Sequence, residues 1–279
     1  MKDVLLMAVD LGTSFIKVGV YDTNSECIAV EIEPVKDYRP SPGVFIQKGE
    51  ELFGSVLACI KKVSARLGDR AKNVEAIAFT GQMSGFMGVD EHWNDITTWS
   101  CSLDSRYMPY AERQMAQLKD QFLGIGGTNF PQMAPKYEWF KSEFPEESKK
   151  IAKYLMISGY VIGKLGDLPI EDAVIDRTFT QWTGLADVRK DKWSKEICDA
   201  IDLDEKYLPR IVNSNDICGY LSESSAKETG LKAGIPLVSG AGDKPAGCLG
   251  AAIYAGVGAG VYASYEEAAE TAVHIKEVY

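Results

Sequence analysis

Apolar residues run without a break from Val4 to Val9 and stop at Asp10, as in a strand buried on both faces. Gly12-Thr13-Ser14 supplies a turn. Phe15 to Asp22 then alternates, and a second turn at Asn24-Ser25 leads into a run from Cys27 to Pro34. This opening predicts an antiparallel meander of three strands. After a loop at Pro40-Ser41-Pro42-Gly43, Leu52, Phe53, Val56, Leu57, Ile60 and Val63 stand at helical spacing. Glu50 and Glu51 open that helix, Arg66 lies in its last turn and Gly68 closes it, which suits the helix dipole. Val74 to Thr80 predicts the next strand, ending in Gly81-Gln82-Met83-Ser84-Gly85.

Further along, helical spacing covers Met108 to Phe122, then Tyr137 to Leu165 with breaks at Pro145 and Gly159. Glu171 to Asp187 is polar and rich in Thr, and reads as loop. Short helices are predicted at Ser194 to Ala200 and Ser222 to Thr229. A strand from Ile235 to Gly240 runs into Ala241-Gly242-Asp243. Strands first, then strands alternating with helices, imply a mixed α/β class. Nothing marks a linker before about residue 250, so one domain is the simplest reading to there.

Composition works by exclusion. With 46% hydrophobic and 25% charged residues, the 279-residue chain is neither disordered nor a coiled coil. A net charge of −10 argues against nucleic acid or an anionic membrane as the main partner. The first apolar run is too short for a spanning helix or a secretory signal. Six cysteines stand far apart, and only two histidines, His92 and His274, are present, so no zinc spacing can be assembled. Reduced thiols in a cytoplasmic protein are the expectation.

Three segments share one design, an apolar strand ending in glycines that carry a carboxylate or hydroxyl. They are Asp10-Leu11-Gly12-Thr13-Ser14, Thr80-Gly81-Gln82-Met83-Ser84-Gly85 and Gly240-Ala241-Gly242-Asp243. Loops at strand ends are held rigidly side by side and collect ligands. Glycine lets backbone N–H groups reach a phosphate, and a carboxylate there can hold Mg²⁺ or accept a proton from an alcohol. The usual phosphate-loop spacing is absent. Gly159-Tyr160-Val161-Ile162-Gly163-Lys164-Leu165 is one residue short and has Leu where Ser or Thr must meet the metal, so the end of an amphipathic helix is the better reading.

Taken in order, Asp10-Leu11-Gly12-Thr13-Ser14-x-x-Lys17, Gly81-Gln82-Met83-x-Gly85 and Gly240-x-Gly242-Asp243 resemble the FGGY carbohydrate kinases. Leu103-Asp104-Ser105-Arg106, Asp187-Val188-Arg189 with Trp193, Leu208-Pro209 and Gly230 to Leu237 extend the likeness over roughly the first 250 residues. The resemblance implies an α/β, ribonuclease H-like (actin-like ATPase) domain with a mixed sheet flanked by helices. It implies transfer of the γ-phosphoryl of ATP, with Mg²⁺, to a hydroxyl of a ketose or polyol.

Position by position, the resemblance makes Asp243 the catalytic base and Asp10 the carboxylate that orients Mg²⁺, with Asp243 as a second metal-facing group. Gly12, Thr13, Ser14, Lys17 and Gly242 fall at the nucleotide phosphates. Gln82, Met83, Asp104 and Arg106 fall in the sugar pocket. The Gly-Gln-Met-x-Gly segment is most like that of xylulokinases, which usually carry His where this chain has Ser84.

FGGY kinases are considerably longer than this chain. Residues 1–250 read as the family's N-terminal domain, and 251–279 as a remnant of its C-terminal domain. A first lobe alone would leave ATP without its base and ribose contacts, so feeble or absent phosphoryl transfer is expected, and an exposed inner face would favour a homo-oligomer or binding of a partner. The alternative is a non-catalytic sugar-binding or interaction module derived from a kinase lobe.

Overall fold

A computed structural model describes residues 3–243 and 247–272. β1 (Leu5–Leu11) pairs antiparallel with β2 (Phe15–Asp22), and β2 with β3 (Cys27–Pro34), so the expected meander is present. After β4 (Ile46–Gln47) and α1 (Gly49–Leu67), β5 (Val74–Gly81) enters parallel to β1 on its other side. Then come β6 (Gly85–Val89), β7 (Trp99–Cys101), α2 (Met108–Gly124), α3 (Met133–Glu143), α4 (Pro145–Ser148) and β8 (Lys153–Leu155). β4, β7, β6 and β8, in that order, form a four-stranded sheet.

α5 (Ile157–Gly166), β9 (Val174–Asp176), α6 (Arg177–Thr183), β10 (Ala186–Asp187), β11 (Lys192–Trp193), α7 (Lys195–Ala200) and β12 (Arg210–Val212) follow. β9 pairs parallel with β12, and β10 with β11 antiparallel. β13 (Ile217–Tyr220), α8 (Glu223–Thr229) and β14 (Pro236–Val238) complete the large sheet, whose order is β13-β14-β5-β1-β2-β3. α9 (Cys248–Gly258) and α10 (Tyr265–Ala272) close the described chain. No helix among the described residues is long and apolar enough to cross a membrane.

Period-two alternation decides which face each side chain joins. Leu5, Met7, Val9, Ile77 and Phe79 meet Leu52, Val56, Ile60 and Val63 of α1 in one core. Leu6, Ala8, Ala76, Ala78 and Val238 point the other way, against Ala251, Ala252 and Ala255 of α9. Small residues on both partners let that helix lie close to the sheet. The described C-terminal residues therefore cover the second face of the sheet. On the edge strand β3, Glu31 and Glu33 pair with Arg66 and Lys62 of α1, and charge on an edge discourages further strand addition.

Two stretches differ from the sequence expectation. Tyr137 to Leu165 is not helical throughout, because Lys153–Leu155 is a strand that pairs with Met87–Val89. Three residues carry no readable period, so the pairing partner decides. Gly159 lies inside α5 and breaks nothing. A Cβ there would stand 2.2 Å from the carbonyl oxygen of Val174, so glycine permits the close crossing of α5 and β9. Glu171 to Asp187, expected as loop, contains β9 and α6. Its Thr180 and Thr183 hydroxyls donate to the carbonyls of Arg177 and Thr180, which lets this Thr-rich stretch be buried.

Candidate active site

β1, β5 and β14 run parallel, and their C-terminal ends meet. Asp10 pairs with Thr80 and Leu11 with Gly81 across β1 and β5. Beyond β14, the N–H of Ala241 donates to Phe79 O at 3.1 Å, and that of Asp243 to Gly81 O at 3.1 Å. Asp10, Gly81 and Asp243 thus stand at adjoining strand ends, as the shared design of their segments predicts. Gly240 makes this closeness feasible. It has φ +71°, and a Cβ on it would stand 1.7 Å from Phe79 O.

The Asp10 side is a short hairpin turn. Gln47 Nε2 donates to Thr13 O at 2.7 Å, and Lys17 Nζ lies 3.3 Å from Asp10 Oδ2. Thr13 is half-buried, while Ser14 and Lys17 are exposed. Burial pushes the thiol of Cys248, at the start of α9, up to about 12, and the negative charge of Asp10 adds to the effect. That helix opens at Cys248 with Gly247 as its cap, so Asp243 is not its N-cap. A helix starting near Pro245, which would make Asp243 its cap, is the reading the sequence offers, and Pro245 lies outside the described residues.

Gln82 and Met83 are buried between these loops. Gln82 Oε1 accepts from Trp99 Nε1 at 3.0 Å, and its Nε2 donates to Gln47 Oε1 at 3.3 Å. The Gln82 amide is therefore oriented by a network, with Gln47 reaching the Thr13 turn and Trp99 the start of β7. Met83 packs on the other side, where a Cβ at Gly242 would meet its side chain at 2.7 Å.

Asp104 and Arg106 follow β7. They form an ion pair whose carboxylate is buried and whose guanidinium is partly exposed. Asp104 is 1% exposed, and Arg106 Nη2 and Nε donate to Oδ2 and Oδ1 at 2.6 and 2.9 Å. The Arg106 guanidinium lies over the Trp139 ring, 4.5 Å from its centroid. Gly85 pairs with Cys101, which sets the Gln82-Met83 loop next to the segment that leads into Asp104.

A further support of the Asp243 loop is one that sequence reasoning misses. Thr178 Oγ1 accepts from the Gly242 N–H at 2.9 Å and donates to Asp176 Oδ1 at 2.5 Å. Asp176, at the end of β9, caps α6 by accepting from Thr178 N. The available signal is Val174-Ile175-Asp176-x-Thr178, another apolar run ending in a carboxylate and a hydroxyl, hidden inside the expected loop.

Burial raises the Asp176 carboxyl to about 6, above its ordinary 3.8. In the folded state its charge is therefore disfavoured, a penalty absent below about pH 4 and complete above pH 6. Asp176→Asn should gain stability relative to the wild type as pH rises through this window. A displacement of that size corresponds to roughly 3 kcal/mol at most. Paired denaturant titrations at pH 4 and pH 7.5 check this, and a constant difference between the two proteins would contradict it.

No group of three or more His, Cys, Asp or Glu side chains gathers as a metal cage among the described residues. Two carboxylates at adjoining strand ends fit a different mode, in which Mg²⁺ takes one or two carboxylates and completes its shell with water and phosphate. Asp10 and Asp243 are suited to that mode.

With this geometry in view, comparisons with known proteins agree on one family. The family description "FGGY family of carbohydrate kinases, N-terminal domain" matches residues 5–250. A xylulose kinase of Bacillus subtilis is 26% identical over 276 residues, covering 95% of this chain and 54% of the relative. An autoinducer-2 kinase of Klebsiella pneumoniae is 26% identical over 259 residues, covering 88% and 46%. The crystal structure of a gluconate kinase from Lactobacillus acidophilus superposes with a TM-score of 0.79 at 19% identity, over 86% of this chain and 48% of that one. The chain spans about half the length of the relatives it matches. The fold is thus the actin-like ATPase fold of these kinases.

Proposed function

Because the chain belongs to the FGGY family of carbohydrate kinases, we propose that it is the sugar-holding lobe of an enzyme that phosphorylates a hydroxyl of a ketose or polyol from ATP. The observation that carries this reading is the convergence of Asp10, Gly81 and Asp243 at the ends of three parallel strands. In this reading residues 1–250 form the N-terminal lobe and 251–279 belong to the C-terminal one. Asp243 accepts the proton of the attacking hydroxyl as its oxygen approaches phosphorus. Gly12, Thr13, Ser14, Lys17 and Gly242 face the phosphates of ATP. Asp10 and Asp243 would hold Mg²⁺, which would supply neutralisation of the phosphoryl charge.

Gln82, Met83, Asp104 and Arg106 hold the sugar. Gln82 is preset by Gln47 and Trp99, so it needs little reordering on binding. The relatives are named for xylulose, autoinducer-2 and gluconate, so the substrate is assigned at the level of a small polyhydroxylated molecule. Titration calorimetry against a ketose and polyol panel tests the pocket. Asp104→Ala should weaken binding of the selected sugar by about 1–3 kcal/mol, the usual effect of leaving polar partners unpaired. Unchanged affinity would assign Asp104 to the framework alone.

A sugar-binding module without transfer is the reading to set against it. Sugar-dependent release of ADP supports the kinase. Thermal stabilisation by sugar with no ADP release supports the module.

A further inference from the structure

Helix α3 touches the segment that carries Asp104 and Arg106 at three points, all on one of its faces. Gln132, which precedes its first turn, accepts the Tyr107 hydroxyl hydrogen at 2.8 Å. Lys136 Nζ donates to the carbonyls of Ser100 and Cys101, each at 2.8 Å. Trp139 lies beneath the Arg106 guanidinium. Positions 132, 136 and 139 follow the i, i+4, i+7 spacing of a single helix face. Together they grip the end of β7 before Asp104, the Arg106 side chain itself and Tyr107 just after it.

Lys136 is the unusual member. Its side chain is wholly buried, with 0% exposure, and among the described residues no carboxylate is hydrogen-bonded to it. Its remaining direction faces the Tyr107 ring, whose centroid lies 4.8 Å from Nζ. A lysine hydrogen-bonded to carbonyls and not to a carboxylate is costly to bury even with Asp104 nearby, and an apolar side chain would fill the same space with no desolvation penalty. A role beyond packing is therefore called for. The turn that begins at Cys101 and places Asp104 rests on these carbonyls, since Asp104 N–H donates to Cys101 O at 3.2 Å.

We propose that Lys136, aided by Gln132 and Trp139, is a positioning residue for the Asp104–Arg106 pair, and that its ammonium charge holds this pair in its sugar-binding arrangement. The inference rests on the reading of Asp104 and Arg106 as sugar-binding. Burial brings the Lys136 ammonium down to about 7, so its charge is lost just above neutrality. The groups facing it are the Cys101 thiol, the Asp104 carboxylate, the Arg106 guanidinium and the Tyr107 ring. Burial raises both Cys101 and Tyr107 above their ordinary values of 9.0 and 10.0, which keeps them neutral in the window where Lys136 titrates. The neutral amine retains two N–H groups for the two carbonyls. It loses charge assistance and the attraction to the Tyr107 ring.

Two opposite pH trends follow. Sugar affinity should fall as pH rises through 7. Folding stability should gain a contribution over the same range and beyond it. The folded pKa lies below the unfolded 10.5, so between the two the unfolded chain binds the extra proton. A lysine that served only structure would produce the second trend without the first.

The test uses the 279-residue chain and the sugar selected by calorimetry, with Kd measured from pH 6 to pH 9. The wild type should lose roughly 3- to 10-fold in affinity across that range, the scale of weakened charge-assisted bonds. Lys136→Met should bind at the weaker level throughout, with a flat profile. Trp139→Leu should bind more weakly but keep the slope. A flat wild-type profile, or Lys136→Met binding as tightly as the wild type at pH 6, would overturn the proposal. If Lys136→Met does not fold, the ¹⁵N resonance of Arg106 Nε in the wild type decides. It should shift with a midpoint near 7, and a resonance unmoved from pH 6 to pH 9 would overturn the coupling. The pocket reading fails separately, by Asp104→Ala leaving Kd unchanged. A wild type that binds no sugar overturns both.

Discussion

Asp243→Asn is expected to lower sugar phosphorylation by roughly 10²–10⁴-fold, the usual contribution of a positioned general base. The substitution belongs in the polypeptide that carries out the transfer, whether this chain alone or this chain joined to the remainder of a kinase. Asn keeps the shape of the side chain and removes its proton acceptor. The loop should hold its place, because Asp243 is anchored through its N–H to Gly81 O and through its neighbour Gly242 to Thr178. Sugar affinity should therefore change little while turnover collapses. Progress curves for ADP release, paired with sugar titrations, separate the two. Normal turnover in the variant would remove Asp243 from the role of base.

Gly240→Ala is expected to have the largest effect on the fold itself. At φ +71° any side chain is strained, and the added Cβ would meet the backbone of Phe79 at 1.7 Å. Left-handed backbone in a non-glycine residue costs about 1–3 kcal/mol, and forced overpacking about as much again. A loss of roughly 2–6 kcal/mol is a large share of the 5–15 kcal/mol that holds a typical domain together. Relief of the clash has to come from separating β14 from β5, so the Asp243 loop should move as well. Gly54→Ala serves as the control. It lies inside α1 with nothing within 4 Å of the new Cβ, and should stabilise by about 0.5–1 kcal/mol. Urea unfolding of both variants checks the contrast. Equal and small effects would show that the strand ends tolerate separation.

Much of this site was legible in the chain because its parts repeat one local design. The apolar run of β1 ends at Asp10-Leu11-Gly12, that of β5 at Gly81, and that of β14 in Gly240-Ala241-Gly242-Asp243. Strands of this kind announce themselves through continuous apolar character, and the glycines mark where they turn. The helix over Glu50 to Arg66 was equally plain, since its apolar spacing, acidic start and Gly68 cap agree with one another.

What stayed hidden depends on partners distant in sequence. β8 is three residues long and exists because Met87–Val89 pairs with it. Asp176 and Thr178 looked like loop polarity until Gly242, far along the chain, supplied the N–H that Thr178 accepts. Lys136 stands just outside the helical spacing read from Tyr137 onward, and nothing in the sequence singles it out. Its burial follows from the carbonyls of Ser100 and Cys101, which no local pattern places beneath it. The Asp104–Arg106 spacing was visible, but its burial against Trp139 was not.

The most direct test is a crystal structure of this chain with the sugar chosen by calorimetry. A strand-end kinase site requires one sugar hydroxyl within about 2.6–3.2 Å of the Asp243 carboxylate, the reach of a general base. The remaining hydroxyls should be held by Gln82 and by the Asp104–Arg106 pair. Sugar bound away from the ends of β1, β5 and β14, with Asp243 out of reach, would contradict the proposed function.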